Sequence, residues 1–129
     1  MLQGPASALW RETRDALVQS GHRVLHVALA LGDVLYWRRP GLTAYRGTLA
    51  DWPAWLDAFV QREGVDDILY FADCLPYHRA AAALARRRGL RAWAVENGYL
   101  RPDWLTLEPF GMGRHSQFPR CPTRIRAMA

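Results

Sequence analysis

The chain has 129 residues, of which 50% are hydrophobic and 22% charged, and it carries a net charge of +5. This length fits a single domain, and the composition favours a folded globular domain over a disordered chain. The positive charge comes from arginine alone, since the sequence contains no lysine. Arginine pairs well with carboxylates and phosphates, so an anionic partner is allowed.

The cysteines and the apolar runs place further limits on the class of protein. Cys74 and Cys121 form neither a disulfide framework nor a metal-binding spacing. The longest apolar run, residues 24–31, is too short to span a bilayer, and residues 1–10 lack a secretory pattern. We therefore predict a cytoplasmic protein. Peripheral attachment to the inner membrane, through partners or acidic lipids, stays open.

Helical and strand patterns alternate along the chain. The spacing predicts a helix from Leu9 that ends at Gly21, a buried strand at 24–31, and a long connection without regular structure at 32–47. A second helix is expected from Asp51 to Gly64, and a second strand at 68–72. A third helix is expected from Pro76 to Gly89 and a third strand at 91–95. Beyond residue 95 we predict neither a helix nor a strand. The alternation predicts an α/β fold with a Rossmann-like parallel sheet and flanking helices.

Polar segments follow each predicted strand, where ligands bind in open parallel sheets. We favour a simple turn for Gly32 and Asp33. In the second segment, Tyr77, His78 and Arg79 could bind a phosphate or carboxylate at a helix N-terminus. In the equally weighted alternative, Asp73 caps the helix and His78 faces solvent.

The third segment, residues 96–103, carries a compact polar cluster. Glu96 could act as a general acid or base, and Arg101 could clamp a sugar acid or phosphate. Alternatively, the two side chains pair with each other across a turn. Cys74 is expected to be small and buried, and the histidines show no metal spacing. No cofactor motif is present, and nucleic-acid binding has little support, so we expect no cofactor and no metal.

Residues 96–108 read Glu-Asn-Gly-Tyr-Leu-Arg-Pro-Asp-Trp-Leu-Thr-Leu-Glu. This string resembles the Glu-(Glu/Asp)-Gly-Tyr-x-Arg-Pro-x-x-x-Thr-x-Glu signature of capsule polysaccharide biosynthesis and export proteins of the KpsS/LipB type. Shorter matches precede it in the same order, at residues 21–24, 32–33, 45–47, 51–53, 71–74 and 76–78. The resemblance runs from about residue 9 to residue 118.

The resemblance implies a retaining glycosyltransferase that uses the nucleotide sugar CMP-Kdo. Family members add the first β-Kdo residues to a phosphatidylglycerol-type lipid, and their fold is GT-B-like, with two facing Rossmann-like domains and the site in the cleft. Carried onto this chain, the resemblance sets the candidate site residues on the family's best-marked segments. We expect Glu96 to be catalytic and seven residues to bind substrate: Asp73, Tyr77, His78, Gly98, Tyr99, Arg101 and Glu108.

Two departures from the family pattern shape the functional hypothesis. Asn97 stands where the family usually has a second acidic residue, and an amide cannot replace a nucleophile or a base. The family's second domain, with its nucleotide-binding histidine-proline segment, has no counterpart here. We expect a partial N-terminal domain at 1–119, an atypical tail at 120–129 and no activity alone. Alternatives are an interaction module of the capsule machinery, a half-protein complemented by a separate second domain, or an unrelated small α/β protein.

Overall fold

The computed structural model describes residues 1–98, 104–119 and 121–127. Tyr99 and Arg101 lie outside the described residues. The elements are α1 (Leu9–Gln19), β1 (His26–Ala28), α2 (Leu31–Trp37), β2 (Leu42–Ala44), α3 (Trp52–Glu63), β3 (Asp67–Phe71), α4 (Pro76–Arg88), β4 (Arg91–Asn97), β5 (Leu105–Pro109), a 3-10 turn (Gly113–His115) and α5 (Pro122–Arg126). No helix within the described part of the chain has the length and apolar character needed to cross a membrane.

The strands form two sheets that the amino-terminal residues connect. β1 pairs in parallel with β2, and β3 pairs in parallel with β4, which in turn pairs antiparallel with β5. Met1 bonds through its backbone to β1, by Met1 N to Leu25 O and Val27 N to Met1 O. Leu2 N donates to Leu69 O of β3 on the other side. Residues 1–3 therefore run between β1 and β3 like a short additional strand.

Helices cover both faces of this arrangement. On one face, α3 and α4 pack against Ile68, Tyr70, Ala92 and Ala94 of β3 and β4, which form the main core. On the other face, Trp10 of α1 and Trp37 of α2 join Val95, with Leu69 and Phe71 packed alongside. The predicted fold class is confirmed: the chain is α/β, with parallel strand pairs and flanking helices compatible with a Rossmann-like half-domain.

The first strand is shorter than predicted, and the connection after it is not irregular. β1 ends at Ala28 because the backbone N–H groups of Leu29 and Ala30 both donate to Asp33 Oδ2 at 2.9 Å, which removes them from the sheet. The chain then forms α2 and returns as β2, within the segment predicted to lack regular structure. The prediction of an unstructured connection at 32–47 is therefore wrong.

The end of the described sheet also differs from expectation. β4 extends to Asn97, and β5 pairs with it in a register that sets Val95 opposite Leu107 and Glu96 opposite Thr106. The alternation Leu-Thr-Leu-Glu over residues 105–108 has the two-residue period of a strand. β5 is not among the predicted strands, although its two-residue alternation of apolar and polar residues is present in the sequence.

Candidate functional site at the carboxyl ends of the strands

The turn after β3 begins with a residue in an unusual conformation. Ala72 has φ of 61°, in the left-handed region that favours glycine, and its N–H donates to Val95 O of β4 at 2.8 Å. This bond holds the turn against the neighbouring strand while the chain reverses into α4. Such strained residues persist where the surroundings over-determine them, and they cluster at functional sites. The turn fixes where Asp73 and His78 lie.

His78 is fully buried in the first turn of α4. Its Nδ1 lies 2.8 Å from Ala72 O, and because a carbonyl can only accept, Nδ1 carries the proton. Burial lowers the pKa of the imidazole, and the ring stacks on Tyr70 at 5.2 Å between centroids. Nε2 is buried and has no hydrogen-bond partner among the described residues. The alternative in which His78 faces solvent is therefore wrong.

Asp73 connects the turn after β3 to the loop after β5. Its Oδ2 accepts a hydrogen bond from the Met112 N–H at 2.8 Å, and it makes no cap bond to α4. A Cβ at Gly111 would lie 3.0 Å from this carboxylate and 2.8 Å from His115 Cβ. Glycine is therefore needed for the close approach of the two loops. The helix-cap alternative for Asp73 is wrong, and Cys74, expected to be buried, is exposed.

The Tyr77 ring packs in an aromatic cluster, whereas the neighbouring His78 ring packs on Tyr70. The Tyr77 ring lies 5.4 Å from that of Trp52 and 6.3 Å from that of Tyr45, measured between centroids. The Trp52 Nε1–H donates to Tyr77 O at 2.9 Å, which fixes the N-terminus of α4 against α3. Tyr77 and His78 thus occupy different surroundings, and the structure does not bring them together into one anion pocket.

Glu96 and Glu108 share a face of the sheet. Glu96 pairs with Thr106, and Glu108 pairs with Ala94, so alternation along the strands directs all four toward the side where Tyr70 and α4 lie. The two glutamates are diagonal neighbours, for which the usual separation is roughly 7–8 Å. Glu96 is exposed, whereas Glu108 is half-buried and accepts a hydrogen bond from Ser116 Oγ.

Gly98 follows β4 and is buried against the strand that pairs with it. Its N–H donates to Trp104 O at 2.6 Å, and a Cβ there would lie 2.7 Å from Trp104 Cβ. Only glycine fits this approach. The Gly98 backbone therefore joins the end of β4 to the start of β5. Gly98 thus helps to fix the position of Glu96, two residues earlier, and offers no side chain of its own.

Asp33 is buried and serves the backbone. The Leu29 and Ala30 N–H groups donate to Asp33 Oδ2, and the Gly4 N–H donates to Asp33 Oδ1 at 3.3 Å. Three backbone donors on one carboxylate support the turn interpretation favoured from the sequence. Sequence reasoning missed Tyr70, whose hydroxyl donates to Phe110 O at 3.1 Å, and Ser116. From the sequence alone, Tyr70 is only one residue of the apolar strand predicted at 68–72.

The arrangement offers an exposed carboxylate, a second carboxylate oriented by a serine, and a buried neutral imidazole. An exposed carboxylate can accept a proton from a hydroxyl, and a fixed one can accept hydrogen bonds from a polyhydroxylated ligand. The loop from Phe110 to Ser116 contacts both Asp73 and Glu108, so it couples the two strand ends. This edge of the sheet is thus equipped to hold a polar substrate.

Comparisons with known proteins relate this chain to capsule polysaccharide proteins. Residues 66–127, which include β3 to β5, match the family described as capsule polysaccharide biosynthesis protein. The match reaches into the closing stretch 120–129, whose separate status stays a prediction. No solved structure matches the chain.

The similarity to individual relatives covers nearly the whole chain. The chain is 34% identical over 128 residues to capsule polysaccharide export protein KpsS of Escherichia coli, an alignment that covers 99% of this chain and 33% of KpsS. It is 29% identical over 124 residues to capsule polysaccharide modification protein LipB of Neisseria meningitidis serogroups A and B, over 93% of this chain and 29% of LipB. The chain thus spans about a third of the length of these relatives. The chain is thus similar to KpsS and LipB over nearly its whole length, and its residues 66–127 carry the match to the capsule polysaccharide biosynthesis family.

Proposed function

We propose that this chain supplies the acceptor-side portion of a glycosyltransferase that moves Kdo from CMP-Kdo to a phosphatidylglycerol-type lipid during capsule polysaccharide biosynthesis. The observation that carries the proposal is the pair Glu96 and Glu108. These residues begin and end the family-like segment, and β4 and β5 set them on one face of the sheet, with Glu96 near the end of β4 and Glu108 opposite Ala94. The sugar and lipid follow from the family resemblance.

In this proposal Glu96 is the general base. Its carboxylate is exposed, so an acceptor hydroxyl can reach it and pass its proton to it. The hydroxyl oxygen then bonds to the anomeric carbon of Kdo on the face from which CMP departs, as the bond between that carbon and CMP breaks. Glu108, oriented by Ser116, would accept hydrogen bonds from sugar hydroxyls. Asn97 offers an amide in place of the family's second carboxylate, so Glu96 must act without an ionisable neighbour at that position.

The remaining predicted residues have supporting roles. Asp73 holds the loop that positions Ser116, and His78 holds the strained turn at Ala72. Arg101 would bind a carboxylate or phosphate of the substrate in bidentate geometry, and Tyr99 would line the same subsite. Tyr77 would contribute to the aromatic wall beside the site. We place the reaction at the cytoplasmic face of the inner membrane, in contact with the capsule export machinery.

A non-catalytic alternative rests on a different surface. Leu105 and Leu107 stand two residues apart on one face of β5 and are exposed by 49% and 57%, which is unusual for neighbouring large apolar side chains. Such a surface suits packing against a second domain or a partner. The chain would then act as an interaction module of the capsule assembly machinery, or as a half-protein completed by a separate second domain.

A chimeric protein tests the proposal. The aligned third of Escherichia coli KpsS is replaced by this chain, and the chimera is assayed with labelled CMP-Kdo and a lysophosphatidylglycerol acceptor. We expect transfer by the chimera, loss of at least about a hundredfold with Glu96→Gln, and no loss with Glu12→Gln, an exposed glutamate on α1. A folded chimera with equal activity in both variants contradicts the role of Glu96. A folded but inactive chimera favours the interaction module.

A further inference from the structure

The helix α2 has its apolar residues on the outside. Leu31, Val34 and Leu35 stand at positions i, i+3 and i+4, so they form one stripe, and they are exposed by 71%, 38% and 54%. The opposite side of the helix is buried and carries Asp33 and Trp37. Apart from Trp37, which packs into the core, the apolar side chains of α2 thus face away from the protein, unlike those of a helix whose apolar side packs on its own core.

Basic side chains border this stripe. Arg38 ends α2 in a left-handed conformation, is exposed, and forms no ion pair with another described residue. Arg39 follows, and its Nη2 lies 2.8 Å from Asp15 Oδ2. Arg14 Nη1 lies 2.9 Å from Oδ1 of the same carboxylate. Two arginines on one carboxylate leave a local positive charge, and the whole chain carries +5.

An apolar stripe bordered by arginine is the composition of segments that lie in the interface of an acidic membrane. Leucine side chains enter the boundary between headgroups and acyl chains, while arginine extends along its methylenes to reach lipid phosphates. Acidic lipids further attract a positively charged surface. We propose that the surface formed by Leu31, Val34, Leu35 and Arg38, the α2 stripe, docks this chain on a bilayer that contains acidic lipids.

The position of α2 gives this docking a consequence for the site. Residues 1–3, β1, β3 and β4 run in the same direction, so α2, which follows β1, lies at the same edge as Asp73 and Glu96. Docking through the α2 stripe brings that edge near the bilayer, with α2 on the α1 side of the sheet and Glu96 on the α4 side. This is the edge at which the proposed function needs a lipid acceptor, although the docking itself does not depend on any transfer activity.

Sedimentation with vesicles tests the docking of the whole chain. The vesicles consist of phosphatidylcholine with or without phosphatidylserine, which provides acidic charge without the headgroup of the proposed acceptor. We expect binding to the acidic vesicles that weakens at high salt, and much weaker binding to phosphatidylcholine alone. Leu31→Gln with Leu35→Gln should reduce binding to acidic vesicles at least about tenfold.

The matched control removes a similarly exposed apolar pair elsewhere. Leu105→Gln with Leu107→Gln should leave vesicle binding unchanged, because these side chains lie on β5. If the α2 double variant does not fold, Arg38→Gln provides the second test and should weaken binding to acidic vesicles by severalfold. The proposal is overturned by absence of binding, by equal binding to neutral vesicles, or by loss only in the β5 variant. It is also overturned if light scattering shows that the α2 stripe is covered by a second copy of the chain.

Discussion

At Gly98 the chain approaches Trp104 so closely that no side chain fits. A Cβ at position 98 would lie 2.7 Å from Trp104 Cβ and 2.8 Å from its carbonyl carbon. We expect Gly98→Ala to lower the free energy of unfolding by about 1–3 kcal/mol, because β4 and β5 must move apart. Urea denaturation measures this change. Gly32→Ala is the control, since no atom lies within 4 Å of its Cβ; equal stability of the two variants would contradict the steric argument.

His26 makes stability depend on pH. It is 1% exposed, stacks on Trp37 at 4.5 Å, and burial lowers its pKa to about 3. Between pH 6.5 and about 3 the unfolded chain binds a proton here that the folded chain does not. Stability therefore falls as the pH falls through this window, by up to about 1.4 kcal/mol per pH unit.

Replacement of His26 separates this contribution from other titrations. His26→Phe keeps a ring to stack on Trp37 and should reduce the pH dependence of the free energy of unfolding between pH 6.5 and about 3. The slope that remains above about pH 5 comes in part from the Met1 amine, whose pKa burial lowers to about 5. His22→Gln, at an exposed position, should leave the slope as in the parent chain. Urea denaturation at several pH values measures both. Equal slopes in all three proteins would mean that His26 is protonated in the folded chain.

At the scale of elements, Asp33 determines where β1 ends and α2 begins. Its carboxylate accepts from the backbone of Leu29, Ala30 and Gly4. Asp33→Ala leaves these donors without their partner, and we expect the free energy of unfolding to fall by about 1–3 kcal/mol. Amide hydrogen exchange at Leu29 and Ala30 should accelerate more than in β3. Asp51→Ala, which removes an exposed carboxylate bonded to the Thr48 hydroxyl, should cost much less.

The elements that the sequence predicted are those with inward apolar stripes or continuous apolar runs. α3, α4, β3 and β4 have such patterns, and glycines at 64 and 89 end the two helices in left-handed conformations. α2 was not predicted because its apolar stripe faces outward while Asp33 and Trp37 face inward. The strand-like role of residues 1–3 depends on partners in β1 and β3, so it is not contained in the local sequence.

The candidate site was predictable in position and only partly in detail. Polar residues after strand ends indicated Asp73, His78 and Glu96, since parallel strands deliver their ends to one edge. The neutral, buried state of His78 and the bond from Met112 to Asp73 depend on the turn at Ala72 and the loop after β5. These contacts join residues up to 39 positions apart in sequence, and such distant contacts cannot be predicted from local periodicity.

At the scale of the whole molecule, the proposed function predicts that the isolated chain does not transfer Kdo. A transferase must hold donor and acceptor together, and that positioning can lower the barrier by about 7–11 kcal/mol. The chain spans about a third of the length of KpsS, and in the proposed two-domain arrangement the donor is held by the rest. The chain itself offers Glu96 and Glu108, which the proposal assigns to the acceptor side.

The measurement incubates the purified chain with labelled CMP-Kdo and a lysophosphatidylglycerol acceptor, with intact KpsS as the positive control. We expect no labelled product from the chain alone. Product should appear when the remaining two-thirds of KpsS is supplied as a separate polypeptide, provided that the exposed surface of Leu105 and Leu107 packs against it. Leu107→Gln should then weaken this complementation while leaving the fold intact, because the side chain is 57% exposed. Turnover by the chain alone would instead require a complete site for both substrates within 129 residues.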